Sequence, residues 1–408
     1  MSPPSMAPAT SAAPGLWHIA HAGAITSAGT SAWQSAASWV GQQKRFQKKI
    51  NPDVGPQAIT TAPCPEITAG QTDLPRLARL LGAALADMVS SMAPQEADLA
   101  GAAPSRIALA LPERLSDRDG AELWLQALAE LGRWAGSGAS AALGAVPCHI
   151  ARGGSTAGFA ALQALGTCPR PVEHAPGAAA LLMAVDSLLD TTTLQDAYGR
   201  GALLTDRHGD GCIASEAAAA LWLQAAPDTR DATGRGLVLH PPVLAAQATA
   251  HRRPQQDPEP GALQEVLRSA LAHAGWQADN VGYTVSDFDG STWRAMAQIS
   301  ARARVAPAWD PIDWEPATAI GQVGAATGPV HWALAAQRVR HDARAPNSIL
   351  SWSLDEGTAA AAVALERTLP TEAAAQRSPS APSAGTGPAA PTYSARFLQN
   401  KNQQLQGK

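Results

Sequence analysis

The sequence predicts an α/β protein built from two similar halves, and three observations carry that expectation. Short apolar runs of strand length alternate with longer stretches whose apolar residues keep a 3.6-residue period, the pattern of a largely parallel sheet covered by helices. The stretch CHIARGGST, residues 148–156, runs from a strand through a sharp turn into a helix start. After Ala225 the same order of strand, helix and glycine-rich loop begins again.

Taken in order, residues 1–15 are rich in Pro, Ala and Ser, the composition of a mobile terminus. Residues 17–24 are a strand candidate running into a turn at 25–29, and Trp33, Ala36, Ala37 and Val40 then fall at helical spacing. The basic group Lys44, Arg45, Lys48 and Lys49 reads either as a solvated loop or as a docking patch for an acidic partner. Asp73 and Pro75 open a helix whose Leu77, Leu80, Leu81, Ala84, Leu85 and Met88 keep the helical period. Residues 106–111 form a buried strand, 121–134 a helix and 137–140 a loop of small residues.

Strand 146–151 then reaches Gly153 and Gly154, which relieve the steric limits on a tight turn. Ser155 and Thr156 follow as N-cap residues. Small residues crowd the helix beyond them (Ala157, Gly158, Ala160, Ala161, Ala164), so neighbouring elements can approach its backbone. Residues 178–186 are a continuous apolar run tipped by Asp186, the look of an interior strand, and a long loop over 200–215 leads into regular apolar sequence at 216–224.

In the second half, residues 237–239 start a strand and 261–274 form an amphipathic helix stopped by Gly275. Strand 281–285 delivers Asp287 and Asp289, and a helix covers 293–303. The Gly-rich loop 321–328 precedes a helix starting near Val330, and strands 347–354 and 359–365 close the fold. From about Pro370 the composition is that of a tail. The expected organisation is therefore a disordered 1–15, halves at 16–225 and 226–368, and a disordered 369–408.

Composition narrows the function. At 408 residues, 46% apolar and 16% charged, the chain is globular and long enough for two or three cores. A formal charge of −4 gives no electrostatic case for nucleic acid or an anionic membrane as partner. The lysines are Lys44, Lys48, Lys49, Lys401 and Lys408, so the body of the fold offers no amine for Schiff-base or pyridoxal chemistry. Cys64, Cys148, Cys168 and Cys212 are scattered, without a C-x-x-C pair or a histidine at ligand spacing; neither a zinc site nor a disulfide framework is expected. No cofactor and no metal are expected. With no secretory leader pattern and no run of roughly 20 apolar residues, a cytoplasmic protein without a membrane span is expected. The twelve tryptophans are spread along the chain, as core and interface packing would have them.

Four segments in the right order resemble the thiolase superfamily, and within it the β-ketoacyl-acyl-carrier-protein synthases. Residues 22–29 (AGAITSAG) resemble the opening G-x-G-x-x-(T/S)-x-x-G segment, and Ala184-Val185-Asp186-Ser187 resembles a G-(V/A)-D-S strand end. Residues 210–218 (DGCIASEAA) resemble D-G-F-x-P-G-E-G-A with Glu216 kept, and 321–328 (GQVGAATG) resemble the G-H-x-x-G-A-A-G loop. The resemblance spans about residues 16–368. It implies a thiolase-like fold of two pseudo-repeated halves with mixed five-stranded sheets, layered α-β-α-β-α, and a homodimer paired through the strand before the elbow, where Pro147 removes one donor.

It also locates the departures. Counting back from Ala161-Leu162 puts Ser155 where the family has its nucleophilic cysteine. Asp287 lies in the loop of the first family histidine, and Gln322 stands at the second. No lysine precedes the Gly-loop, and Ser353-Leu354-Asp355-Glu356-Gly357 replaces the G-F-G-G turn that shapes the oxyanion hole. By the family geometry Asp287, Asp289, Asp355 and Glu356 converge on one pocket, where each like-charge contact at ~4 Å costs about 4 kcal/mol at an effective dielectric near 20. Grouped acids escape this only partly by protonation. They could ligate a hard cation or be neutralised by Arg294 and Arg302. Ser155 reads as a helix cap, or as a nucleophile if His331 serves as its base.

The implied protein has the ketosynthase shape without condensing chemistry. It acts by binding an acyl group, acyl-CoA or an acyl carrier protein, or as an adaptor for a secreted effector; degenerate thiolase-like proteins resemble accessory proteins encoded beside type VI secretion effectors. The alternative is an active acyltransferase or thioesterase using Ser155.

Overall fold

The computed structural model describes residues 16–92, 103–166, 179–225, 236–246, 261–342, 345–355 and 359–368. The tail and N-terminal segments expected to be disordered, Cys168 and Glu356 lie outside them. The strands are β1 (Trp17–Ile25), β2 (Gln47–Ile50), β3 (Ala58–Ala62), β4 (Arg106–Pro112), β5 (Cys148–Gly153), β6 (Ala179–Ser187), β7 (Ala214–Ala225), β8 (Gly236–Leu239), β9 (Val243–Ala246), β10 (Tyr283–Ser286), β11 (Ile312–Trp314), β12 (Ser348–Leu354) and β13 (Ala359–Thr368).

The internal repeat is written in the pairing. The first five-stranded path, β1-β7-β6-β4-β5, has two antiparallel pairs followed by two parallel ones. The second path, β8-β13-β12-β10-β11, has the same succession. Each half is thus mixed rather than largely parallel. The halves meet where β1 pairs with β8, at Trp17 opposite Leu239 and His18 opposite Val238, so the two sheets run into one.

Alternation along the strands builds the layers. On β4, Ile107, Leu109 and Leu111 face the outer helices Asp73–Ser90 and Asp117–Ala135, meeting Leu81, Leu85, Leu123 and Leu131. Ala108 and Ala110 face the other way, into a central cluster that takes Leu182 and Leu221 from the first sheet and Ile349, Val363 and Leu365 from the second. Between the sheets lie the helices Ala157–Leu165 and Thr327–His341. The far side of the second sheet, with Leu350, Trp352 and Ala362, packs on Gly261–Ala274 and Thr292–Val305. This is the α-β-α-β-α order.

The small-residue helix fits because it has no bulk to spare. A Cβ on Gly158 would lie 2.2 Å from Pro329 Cδ, so the two central helices touch there. One turn away Phe159 meets Trp332 edge-to-face at 4.9 Å, a contact worth about 1 kcal/mol beyond its buried area.

Several local expectations change. Residues 137–144 form a helix, Ser137–Gly144, because Ala139 and Leu143 give the small residues an apolar anchor. Strand β5 begins after Pro147, which therefore costs it no ladder donor. Lys48 and Lys49 lie on the edge strand β2; Lys48 pairs with Asp206, and Arg45 pairs with Glu66 at 3.1 Å. Among the described residues no helix is long and apolar enough to cross a membrane.

Candidate functional site

Strand β5 ends at Gly153, and the chain turns through Gly154 and Ser155 into the helix Ala157–Leu165. Thr156, the N-cap residue, makes no capping bond with its own side chain. The hydroxyls of Thr156 and Ser155 turn to Asp355, at the end of β12 and 199 residues from Thr156 in sequence. Thr156 Oγ1 donates to Asp355 Oδ2 at 2.6 Å and Thr156 N to Oδ1 at 3.3 Å, while the Ser155 hydroxyl hydrogen-bonds the same carboxyl. Gly154 leaves room for this approach, since a Cβ there would lie 2.5 Å from Asp355 Oδ1, which would have to shift. Burial pushes the Asp355 carboxyl above its ordinary pKa, and the bonds from Thr156 and Ser155 and the charge of Arg294 oppose that rise.

Arg294 holds the acids that follow β10. Its Nη1 donates to Asp287 Oδ2 and, at 2.6 Å, to the Leu354 carbonyl; its Nε donates to Asp289 Oδ2 at 3.2 Å. Asp287 Oδ2 also accepts from Ser353 Oγ at 2.9 Å and Leu354 N at 2.8 Å, so this fully buried carboxylate ties β10 to β12. Burial raises its pKa despite Arg294. The like-charge clash expected from the sequence is relieved by a guanidinium between Asp287 and Asp289. Arg302 takes no part and instead pairs with Asp313 at 2.9 Å.

A cavity of about 700 Å³ brings together Gly154, Ser155, Asp289, Arg294, Gln322 and Asp355. Of the two acids after β10 it is Asp289 that lines this cavity; Asp287 lies behind it. Gln322 Nε2 points to Asp289 Oδ2 across 3.5 Å, and its Oε1 accepts from Val323 N at 3.2 Å. His331 is placed elsewhere. It lies within Thr327–His341, fully buried, with no hydrogen-bond partner for Nε2, and burial pushes its pKa down to about 3. It is not among the residues lining the cavity.

Asp186, at the strand end that the sequence singled out, is structural. Asp186 Oδ2 accepts from Ala325 N at 2.9 Å and packs where a Cβ on Gly324 (φ +50°) would come within 2.1 Å, which fixes the Gly-loop. Arg114, a residue that sequence reasoning missed, bonds Asp186 Oδ1 at 3.0 Å and the Ser187 carbonyl at 2.8 Å and lines the same cavity. No local pattern marks Arg114; its partner is 72 residues away. Five carboxylates (Glu113, Asp186, Asp196, Asp289, Asp355) and three guanidiniums (Arg114, Arg200, Arg294) line the cavity in all. Among the described residues no group of three or more His, Cys, Asp and Glu could hold a metal ion.

No protein-family model and no curated protein matches the sequence. Solved structures do match. The oxazolomycin ketosynthase domain of Streptomyces albus JA3453 is 12% identical, with a TM-score of 0.63 over 97% of this chain and 81% of that one. A ketosynthase in complex with its chain length factor, from Xenorhabdus doucetiae, is 15% identical, with a TM-score of 0.61 over 86% of this chain and 98% of that one. A chain of the solved complex of a type II acyl-carrier protein with its ketosynthase bound to the hexaketide is 12% identical, with a TM-score of 0.61 over 86% of this chain and 99% of that one. At these identities the likeness is one of fold.

Proposed function

On a thiolase-like ketosynthase fold, we propose a protein that binds in the old active-site cavity and does not condense thioesters. One observation carries the reading: the positions of the two family histidines hold no base, and the one carboxyl beside Ser155, Asp355, is tied to Thr156 as well. Asp289 is held by Arg294, Gln322 is an amide without basicity, and the one histidine weighed as a base, His331, is buried apart with a pKa of about 3. Building an enolate in a cavity with more carboxylates than guanidiniums also runs against the electrostatics that such a charge needs.

The same charges bear on the occupant. Ion pairs bordering a cavity disfavour a long alkyl chain and suit a polar, hydrogen-bonding group, such as the thioester-bearing arm of an acyl carrier protein. The solved complex of a ketosynthase with its acyl-carrier protein supports that partner over free acyl-CoA; the adaptor form, in which a secreted effector is held, uses the same scaffold without an acyl group. A homodimer fits the topology, because β5 ends the sheet path and has β4 as its strand neighbour among the described residues.

The second reading, Ser155 as nucleophile in an acyltransferase or thioesterase, draws on its hydrogen bond to Asp355, a carboxyl whose raised pKa would let it accept a proton. Intact-mass spectrometry after incubation with acyl-CoA and with acylated carrier protein separates the two. The binding reading predicts an unchanged mass. An acyl adduct that disappears in Ser155→Ala establishes the nucleophile instead.

A further inference from the structure

A second hollow, of about 520 Å³, lies beside the helix Ala32–Val40 and shares no lining residue with the elbow cavity. Its volume is in the range that takes a small organic ligand. Trp33 lines it and is 58% exposed, whereas Trp39 on the same helix is 3% exposed in the core. The fold does not use the Trp33 ring, because Ala32, Ser35, Ala36 and Trp39 are the residues this helix buries. Among the described residues Trp33 is the one large apolar side chain in the lining. The rest of the wall is made of hydrogen-bonding groups. Gln34 Oε1 accepts from Thr30 N at 3.1 Å and from Thr30 Oγ1 at 3.0 Å, which holds the amide in place. Its Nε2 and the whole Gln43 amide have no partner among the described residues. Arg45 pairs with Glu66 at 3.1 Å, so the lining carries no net charge.

These features select the ligand chemistry. Paired charges give little hold on a free ion, and without aliphatic walls the hollow suits neither an acyl chain nor an apolar peptide side chain. What it offers is one flat aromatic face and amides that both donate and accept. A sugar ring answers both, since its C–H face is apolar and its hydroxyls donate and accept around the rim. We infer that this hollow is a carbohydrate-binding site, with Trp33 as the platform and Gln34, Gln43, Arg45 and Glu66 bonding the ring hydroxyls. The inference goes beyond the reading of the elbow cavity and stands apart from it, because no residue lines both.

Saturation-transfer NMR on the full chain with maltose, cellobiose and chitobiose tests it, with adenosine as a competing ligand that also stacks. Wild type is expected to transfer saturation to the ring C–H protons of at least one disaccharide. Titrated by the same signal, its affinity is expected to fall at least about tenfold in Trp33→Ala, the scale of a lost aromatic contact with its buried area. Trp33→Phe, which keeps a flat ring, is expected to recover part of the loss. Because the ring is exposed, the variants are expected to fold, with circular dichroism as the check. Should Trp33→Ala fail to fold, Gln43→Ala takes its place, with an affinity expected to fall by about fivefold. No saturation of any of these disaccharides, equal affinity in wild type and the deciding variant, or tighter binding of adenosine than of the sugars overturns the inference.

Discussion

Glu216→Ala is expected to remove about 3–5 kcal/mol of folding stability, read as a lowered urea midpoint at unchanged slope. The carboxylate is fully buried and five donors converge on it. Oε1 accepts from Cys64 N at 2.7 Å, Thr68 Oγ1 at 3.0 Å and Arg76 Nη2 at 2.8 Å. Oε2 accepts from Arg76 Nε at 2.5 Å and Ser187 Oγ at 3.2 Å. Truncation strands a guanidinium and an amide together, and the loss comes mostly from those abandoned partners. Because Ser187 follows Asp186 at the end of β6, the same change loosens the segment that fixes the Gly-loop. A loss below about 1 kcal/mol, the scale of an exposed ion pair, would refute this assignment.

His331 gives the second large effect, through pH. Its folded pKa is about 3 against 6.5 for the free side chain, and burial is the cause. Below pH 6.5 the unfolded chain therefore takes up a proton that the folded chain refuses. The contribution is complete above that pH and is lost as pH falls toward 3. Between pH 7 and pH 5 the loss is about 2 kcal/mol. Asp186, Asp287 and Asp355, whose pKa values are raised by burial, act in the opposite sense as pH falls through those raised values, since the folded state protonates them first. The comparison is therefore between variants. His331→Leu keeps an apolar side chain in the site and gives up no bond at Nε2, which has none. The gap between the urea midpoints at pH 7 and pH 5 is expected to narrow in His331→Leu but not to close, because His18, its pKa pushed down to about 4 by burial, acts in the same sense; equal pH sensitivity in both would refute the account.

What the sequence made legible follows from range. The elbow was readable because Gly153, Gly154 and the small residues after it act within one turn of chain, and the layers because apolar periodicity is local. The repeat of the two halves was readable from order alone. Strands β2, β3, β9 and β11, each of three to five residues, escape the local pattern because their pairing partners, not their own propensities, make them strands. The site was half legible. Asp289, Asp355, Gln322 and Ser155 were named and do share one cavity. That Arg294 rather than Arg302 neutralises the acids, that Asp287 stands behind them, and that the elbow helix is capped from 199 residues away are facts of tertiary packing that local pattern does not carry.

The central claim is that a cavity of ketosynthase shape has lost the groups that condensation uses. Release of carbon dioxide from malonyl-acyl-carrier protein, followed with an acylated carrier protein present as acceptor, tests it most directly. The account predicts release no faster with this chain than without it, and no 3-oxoacyl product. Protein-dependent release with formation of that product would contradict it.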